Sequence, residues 1–170
     1  MLDFLTITAL EKAADQGVPV QFYTALGDTD VDLLKAKPLR LRSILQDPAF
    51  REVPIILLHC YPYLTETAYL SNMYGNVYFD LSMTLPVLNH TSKRALEDVL
   101  GMAPASKVLY GSDAPGIPDF LWLGAVSWRR ALGGLLTDWV NHDGMPESQA
   151  QLIAEQILYK NAEALYADDA

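Results

Sequence analysis

Two side chains in this sequence can carry protons or hold a cation at positions where their neighbours are almost all apolar. His59 closes the aliphatic run Ile55-Ile56-Leu57-Leu58, and Asp113 follows Gly111-Ser112 just after Val108-Leu109-Tyr110. An imidazole at the end of such a run needs a partner, because a buried polar group left unsatisfied costs roughly 1–3 kcal/mol. Backbone, a proton in transit or a metal ion would each serve, so His59 reads either as a structural histidine or as a general acid/base or ligand. Asp113 is equally open: it can bind a divalent cation, take a proton from water, or act as a helix N-cap or turn residue. Asp80 ends the run Val77-Tyr78-Phe79 and can satisfy backbone groups beside Ser82, while Tyr23 ends Val18 to Phe22 and precedes Gly27-Asp28.

These residues share a type of position. Apolar runs of strand length alternate with segments of helical period, starting with a helix over Leu2–Gln16 that stops at Gly17. The strands are expected over Val18–Tyr23, Pro54–His59, Val77–Leu81 and Lys107–Gly111. Helices are expected near Pro38–Leu45, over Leu64–Met73, and over Ser92–Leu100 with Thr91 or Ser92 as cap. The tail reads as helices over Phe120–Val140 and Glu147–Leu158, then a turn through Asn161–Tyr166, with Asp168-Asp169-Ala170 frayed. Gly133-Gly134 inside the long helix reads as close helix packing.

Continuous apolar strands alternating with helices imply right-handed βαβ units and a parallel sheet buried on both faces. Four such units fit a small doubly wound sheet or half of an eight-stranded barrel. A complete barrel typically needs ~250 residues, more than the 170 present. In both architectures the functional site lies at the C-terminal ends of the strands, which is where Tyr23, His59, Asp80 and Asp113 fall.

Other candidates are weaker. Asp28, Asp30 and Asp32 are spaced acids, but the twelve-residue calcium loop with its closing Glu is absent, so a solvated loop is expected. His90 and His142 sit in turn-like segments and are expected at the surface. No glycine-rich phosphate loop, nucleophile elbow or CxxC pair occurs.

Composition narrows the classes. Twelve basic against 21 acidic residues give a net charge of −9, which repels a nucleic-acid backbone. A hydrophobic content of 51% and a mean hydropathy of +0.10 suit one sizeable core, with some apolar surface that another chain or segment would cover. The single cysteine, Cys60, is expected as a buried structural thiol. No signal peptide and no run of the ~18 apolar residues a membrane span needs is visible, so the cytoplasm is the expected compartment.

The ordered set of strand segments resembles the amidohydrolase-related family of metal-dependent barrel hydrolases. Gln21-Phe22-Tyr23-Thr24 with Gly27-Asp28 resembles that family's fifth-strand segment. Ile56-Leu57-Leu58-His59-Cys60-Tyr61-Pro62 resembles the sixth, and Asn76-Val77-Tyr78-Phe79-Asp80-Leu81-Ser82 the seventh. Val108-Leu109-Tyr110-Gly111-Ser112-Asp113-Ala114 with Ile117-Pro118 resembles the eighth, and Ile157-Leu158-Tyr159-Lys160-Asn161-Ala162 the closing helix. Within the family the chain most resembles the hydrolase-like domain found fused to, or beside, glutamine-synthetase-like proteins.

The resemblance implies an α/β fold, a partial (β/α)8 TIM barrel of about four C-terminal βα units plus C-terminal helices. Residues 1–170 would form a single domain, the C-terminal half of an amidohydrolase-type barrel. It implies hydrolysis of a C–N or related bond in a small substrate, with a divalent metal, commonly zinc, activating water. Asp113 would bind the metal or take the proton from that water, His59 would act as acid/base, and Tyr23 and Asp80 would face the substrate. Two departures bear on this. The family's His-x-His pair does not occur in this sequence, and Tyr23 stands where the family's fifth strand carries a ligand histidine. The expected partners are a small-molecule substrate and either a second copy of the chain or the missing N-terminal half, since paired half-barrels would bury their open sheet edges. The alternatives are a non-catalytic half-barrel remnant serving in interactions, and a small α/β module that binds a ligand without chemistry.

Overall fold

A computed structural model describes residues 2–114 and 116–167, the first two of these in backbone only; the expected frayed end at 168–170 lies outside them. The opening helix α1 runs over Leu2–Gln16. It stops as the sequence suggests: Gly17 has φ +65°, its N–H donates to the Ala14 carbonyl, and the Val18 N–H donates to the Ala13 carbonyl. This is the paired C-terminal motif that glycine's freedom at positive φ permits.

Strand β1 (Val20–Thr24) comes next, then a loop, a 3-10 turn (Pro38–Leu41) and the short helix α2 (Arg42–Leu45). Strand β2 (Ile55–His59), helix α3 (Leu64–Met73) and strand β3 (Val77–Asp80) form the next unit. Helix α4 (Thr84–Leu88) is not expected from the sequence. It contains Pro86 but tolerates it, because Pro86 falls in the first turn, where no N–H partner is required. Helix α5 (Ser92–Leu100) leads to strand β4, only Val108–Leu109, shorter than expected. Neither Thr91 nor Ser92 caps α5 through its side chain. Their hydroxyls donate instead to the carbonyls of Leu88, and of Leu85 and Asn89. The long helix α6 (Pro118–His142), helix α7 (Glu147–Glu155), a π turn (Gln156–Lys160) and helix α8 (Asn161–Tyr166) complete the chain.

The four strands are all parallel and lie in the order β1-β2-β3-β4. That order separates the two architectures left open by the sequence. A doubly wound sheet reverses its strand order at a switch point, whereas consecutive neighbours with helices on one side are what a barrel half requires. The described chain is such a half.

Strand register divides the sheet into two faces. Ile55, Leu57, Val77, Phe79 and Val108 pack into the main core with Leu96, Val99, Trp128, Leu132 and Leu135 of the helices. The opposite, inner face carries Gln21 and Tyr23 of β1, in register with Ile56 and Leu58, then Tyr78, Asp80 and Leu109. The two sheet edges differ. The β4 edge is occupied: the Tyr110 N–H donates to the Ile157 carbonyl, and the Asn161 amide donates to the carbonyls of Val108 and Ala105. Among the described residues β1 pairs with β2 alone, and its inner-face residues Gln21 and Tyr23 are exposed.

Gly133 has nothing within 4 Å of a built Cβ, and Gly134 makes one ordinary contact, with Lys93. The expected close packing at this pair is therefore absent. The closely packed glycine of α6 is Gly124, where a Cβ would come 2.9 Å from the Cβ of Ser112.

Candidate active site

The C-terminal ends of the strands hold unusual backbone. Non-glycine residues with positive φ follow or end each strand: Ala25 (62°), His59 and Cys60 (67° and 65°), Met83 (58°) and Asp113 (51°). Such positions cost of order 1–3 kcal/mol each and persist only where surrounding contacts enforce them. At His59 the consequence is directional. Alternation along β2 would send its side chain to the helix face with Ile55 and Leu57. Instead its ring lies 4.4 Å from the ring of Tyr23, an inner-face residue, with the planes tilted 59°.

Asp80 is the contact that enforces this shape. Its Oδ1 accepts from the His59 backbone N–H (2.9 Å), the Ser82 N–H (3.2 Å) and the Ser82 hydroxyl (2.9 Å). Thr84 adds a hydroxyl donated to the His59 carbonyl at 2.6 Å. Burial pushes the Asp80 carboxyl above the usual carboxylate range, and the hydrogen bonds from His59 and Ser82 oppose that shift. Its second oxygen packs on Gly111, where a Cβ would sit 2.6 Å from Oδ2 and 2.9 Å from the Ser82 Cβ. The end of β4 is pinned in turn by Trp128, fully buried, whose indole N–H donates to the Gly111 carbonyl at 2.9 Å.

His59 is fully buried. Its Nδ1 lies 3.0 Å from the Ser82 hydroxyl and 3.2 Å from the Ser82 carbonyl. Its Nε2 is, among the described residues, the buried side-chain nitrogen or oxygen that lacks a hydrogen-bond partner. Asp113 is exposed, and the Tyr23 hydroxyl donates to its Oδ1 over 3.4 Å, a long bond. Partial burial, and then the charge of Asp113, raise the Tyr23 hydroxyl above the ordinary phenol range, so it is a donor at neutral pH. Asp113 does not cap α6; Ile117 occupies that position, without a side-chain cap bond. A cavity of about 240 Å³ on the inner side of the sheet is lined by Leu58, Asp80, Ser82, Asp113 and Tyr166 among others.

All four residues singled out from sequence therefore meet. Tyr23 touches both His59 and Asp113, and Asp80 holds the His59 backbone. Ser82, Thr84 and Trp128 are additions. Only the Asp80-x-Ser82 spacing, two polar residues on one side of a strand end, points toward any of them. Cys60 is buried, as expected, and burial drives its thiol far above the ordinary range, which leaves it inert. His90 and His142 are exposed, and Asp28 and Asp30 lie in an exposed loop.

Comparison with known proteins identifies the family of the chain. The family profile described as amidohydrolase matches residues 3–167. The chain belongs to the amidohydrolase family. Protein fluG of Emericella nidulans is 33% identical over 164 residues, covering 95% of this amidohydrolase chain but 19% of the fungal protein. A crystal structure from Lactobacillus casei ATCC 334, provisionally described as a metal-dependent hydrolase, superposes with a TM-score of 0.86 at 28% identity. It covers 97% of this chain, which spans 43% of the solved chain. The chain thus spans less than half the length of either relative.

The residues present do not by themselves fit a catalytic metal. Such a zinc site takes three protein ligands. This chain offers the free Nε2 of His59 and the carboxylate of Asp113, while the Tyr23 hydroxyl is directed at Asp113. Among the described residues no group of three or more His, Cys, Asp or Glu side chains is placed to hold an ion. Likewise no helix among them is long and apolar enough to cross a membrane.

This geometry has two measurable consequences. Gly111→Ala forces Asp80 or Ser82 to move, and should lower stability in urea by about 1–3 kcal/mol; an unchanged midpoint would mean that the end of β4 yields without strain. Elemental analysis of chain purified without chelator should find well under one metal per chain, and no further loss in Asp113→Ala. Near-stoichiometric metal that disappears in the variant would overturn the two-donor account.

Proposed function

We propose that this chain is the C-terminal half of an amidohydrolase-type hydrolase that cleaves a C–N or related bond of a small substrate. The observation that carries this reading is the free, buried Nε2 of His59 at a strand end, beside a Tyr23–Asp113 pair. Leaving a buried nitrogen unpaired is unfavourable, and such a group is retained where it has a partner in the working state. Neutral His59 would take a proton at Nε2 from the nucleophile, and the imidazolium so formed would pass it to the leaving nitrogen. Asp113, open to solvent and steadied by the Tyr23 hydroxyl, would accept the proton of an attacking water. Asp80 lines the cavity, but its Oδ1 already takes three hydrogen bonds, so its contribution to the substrate would come from Oδ2.

The exposed inner face of β1 supports a partner that completes the barrel, either a second copy of this chain or a chain carrying the first four units. Such a chain would bring the His-x-His pair missing here. Tyr23 in place of a ligand histidine favours one competing reading, a half-barrel that no longer catalyses and serves in assembly.

The test is turnover of a panel of amides, cyclic amides and esters by the chain, by His59→Gln and by Asp113→Asn. Each variant should lose about 10²–10⁴-fold, the usual scale for a general acid or base. Equal rates in all three would exclude these roles, and no turnover even with a chain carrying the first four units added would favour the non-catalytic reading. If the partner is a second copy, the melting temperature should fall on hundredfold dilution. A constant value would leave the first-half chain as the partner to be sought.

A further inference from the structure

The partners of His59 determine which of its nitrogens carries the proton. Asp80 Oδ1 accepts two backbone N–H groups, from His59 and Ser82, and so serves as an acceptor. The Ser82 hydroxyl, 2.9 Å away, donates its hydrogen to Asp80. That leaves the Ser82 Oγ with only lone pairs to offer His59 Nδ1 at 3.0 Å. The second neighbour of Nδ1, the Ser82 carbonyl at 3.2 Å, can never donate. Both contacts demand a hydrogen on Nδ1. This pairing favours the hydrogen of neutral His59 on Nδ1 and its lone pair on Nε2, which among the described residues has no partner.

We propose that Ser82, oriented by Asp80, is a positioning residue that locks neutral His59 in the Nδ1–H tautomer, so that Nε2 presents a lone pair toward the reacting groups. The role of that lone pair in turnover rests on the hydrolase reading above; the tautomer itself does not. The arrangement resembles the way a second group fixes a histidine's tautomer when the opposite nitrogen is to act as base or ligand. Here the orienting group is a serine that relays from a carboxylate. The carboxylate also fixes the histidine's backbone, so one side chain sets both ring orientation and ring protonation. Gly111 belongs to the same device. Because it has no Cβ, the Asp80 carboxylate can lie close enough to reach His59 and Ser82 together.

The test uses the full chain labelled with nitrogen-15 in its histidines, with long-range proton–nitrogen correlation spectra recorded at a pH where His59 is neutral. The His59 signals are assigned by their loss in His59→Gln, which separates them from His90 and His142. Wild-type protein should show a pyrrole-like Nδ1 and a pyridine-like Nε2 at His59. In Ser82→Ala one of the two acceptors at Nδ1 is gone. Both nitrogen shifts should then move toward the averaged values of a tautomer mixture, and Ser82→Thr should restore the wild-type pattern. A pyridine-like Nδ1 in the wild type would overturn the proposal. So would a Ser82→Ala spectrum identical to wild type, which would leave the backbone carbonyl as the sole orienting group. The spectra do not depend on turnover, so a failed activity assay and a failed tautomer assignment are separate results.

Discussion

One carboxylate oxygen ties the ends of two strands together. Asp80 Oδ1 collects hydrogen bonds from the backbone of β2 at His59 and from both the backbone and the hydroxyl of Ser82 beyond β3. That oxygen, with the Thr84 hydroxyl on the His59 carbonyl, holds the His59 backbone at positive φ, an arrangement a non-glycine residue adopts only when contacts compel it. Without these contacts the imidazole would follow strand alternation onto the helix face, away from Tyr23. A buried carboxyl is itself unfavourable, as its raised pKa reflects. Three converging donors offset part of that penalty and supply the geometry in return.

The same logic recurs at β4. This strand has two residues in the sheet ladder, too few to orient the segment beyond it by themselves. Its end is held from outside instead, by the Trp128 indole on the Gly111 carbonyl and by the close approach of Gly124 to Ser112. Helix α6 thereby sets the path that leads to Asp113. The edge that β4 would otherwise expose is covered by the π turn and Asn161. The molecule is therefore asymmetric: one sheet edge is satisfied internally, while β1 displays Gln21 and Tyr23. An uncovered strand edge is a pairing surface. This one lies on the side where the candidate site is short of donors.

Much of this architecture is legible in the chain. The alternation of apolar strands with amphipathic helices defines the βα units. The ends of α1 and α3 fall on the residues expected, and for α1 the stop is a strong local signal, Gly17. Helix α4 escapes a reading of the sequence because Pro86 looks like a breaker when its place within the helix is unknown. The capping of α5 differs from expectation because a serine or threonine before a helix has several carbonyls within reach, and tertiary packing selects among them. Gly133-Gly134 differs for a related reason: a glycine marks close approach only if something lies opposite, and here the space is open or filled by one ordinary contact.

The sequence alone determined which residues reach the C-terminal ends of the strands. A period of two and the length of an apolar run are local properties, so Tyr23, His59, Asp80 and Asp113 could be named without coordinates. It also carried the family, through the order of its strand segments. Tertiary structure decided the rest. Strand order, which distinguishes a barrel half from a doubly wound sheet, depends on pairings between segments tens of residues apart. The setting of the His59 ring depends on Ser82, 23 positions away, and on Asp80, whose Oδ1 takes the Ser82 hydroxyl while its Oδ2 lies against Gly111. Hydrogen-bond direction is a property of three or more groups in fixed geometry, and no spacing along a chain encodes it.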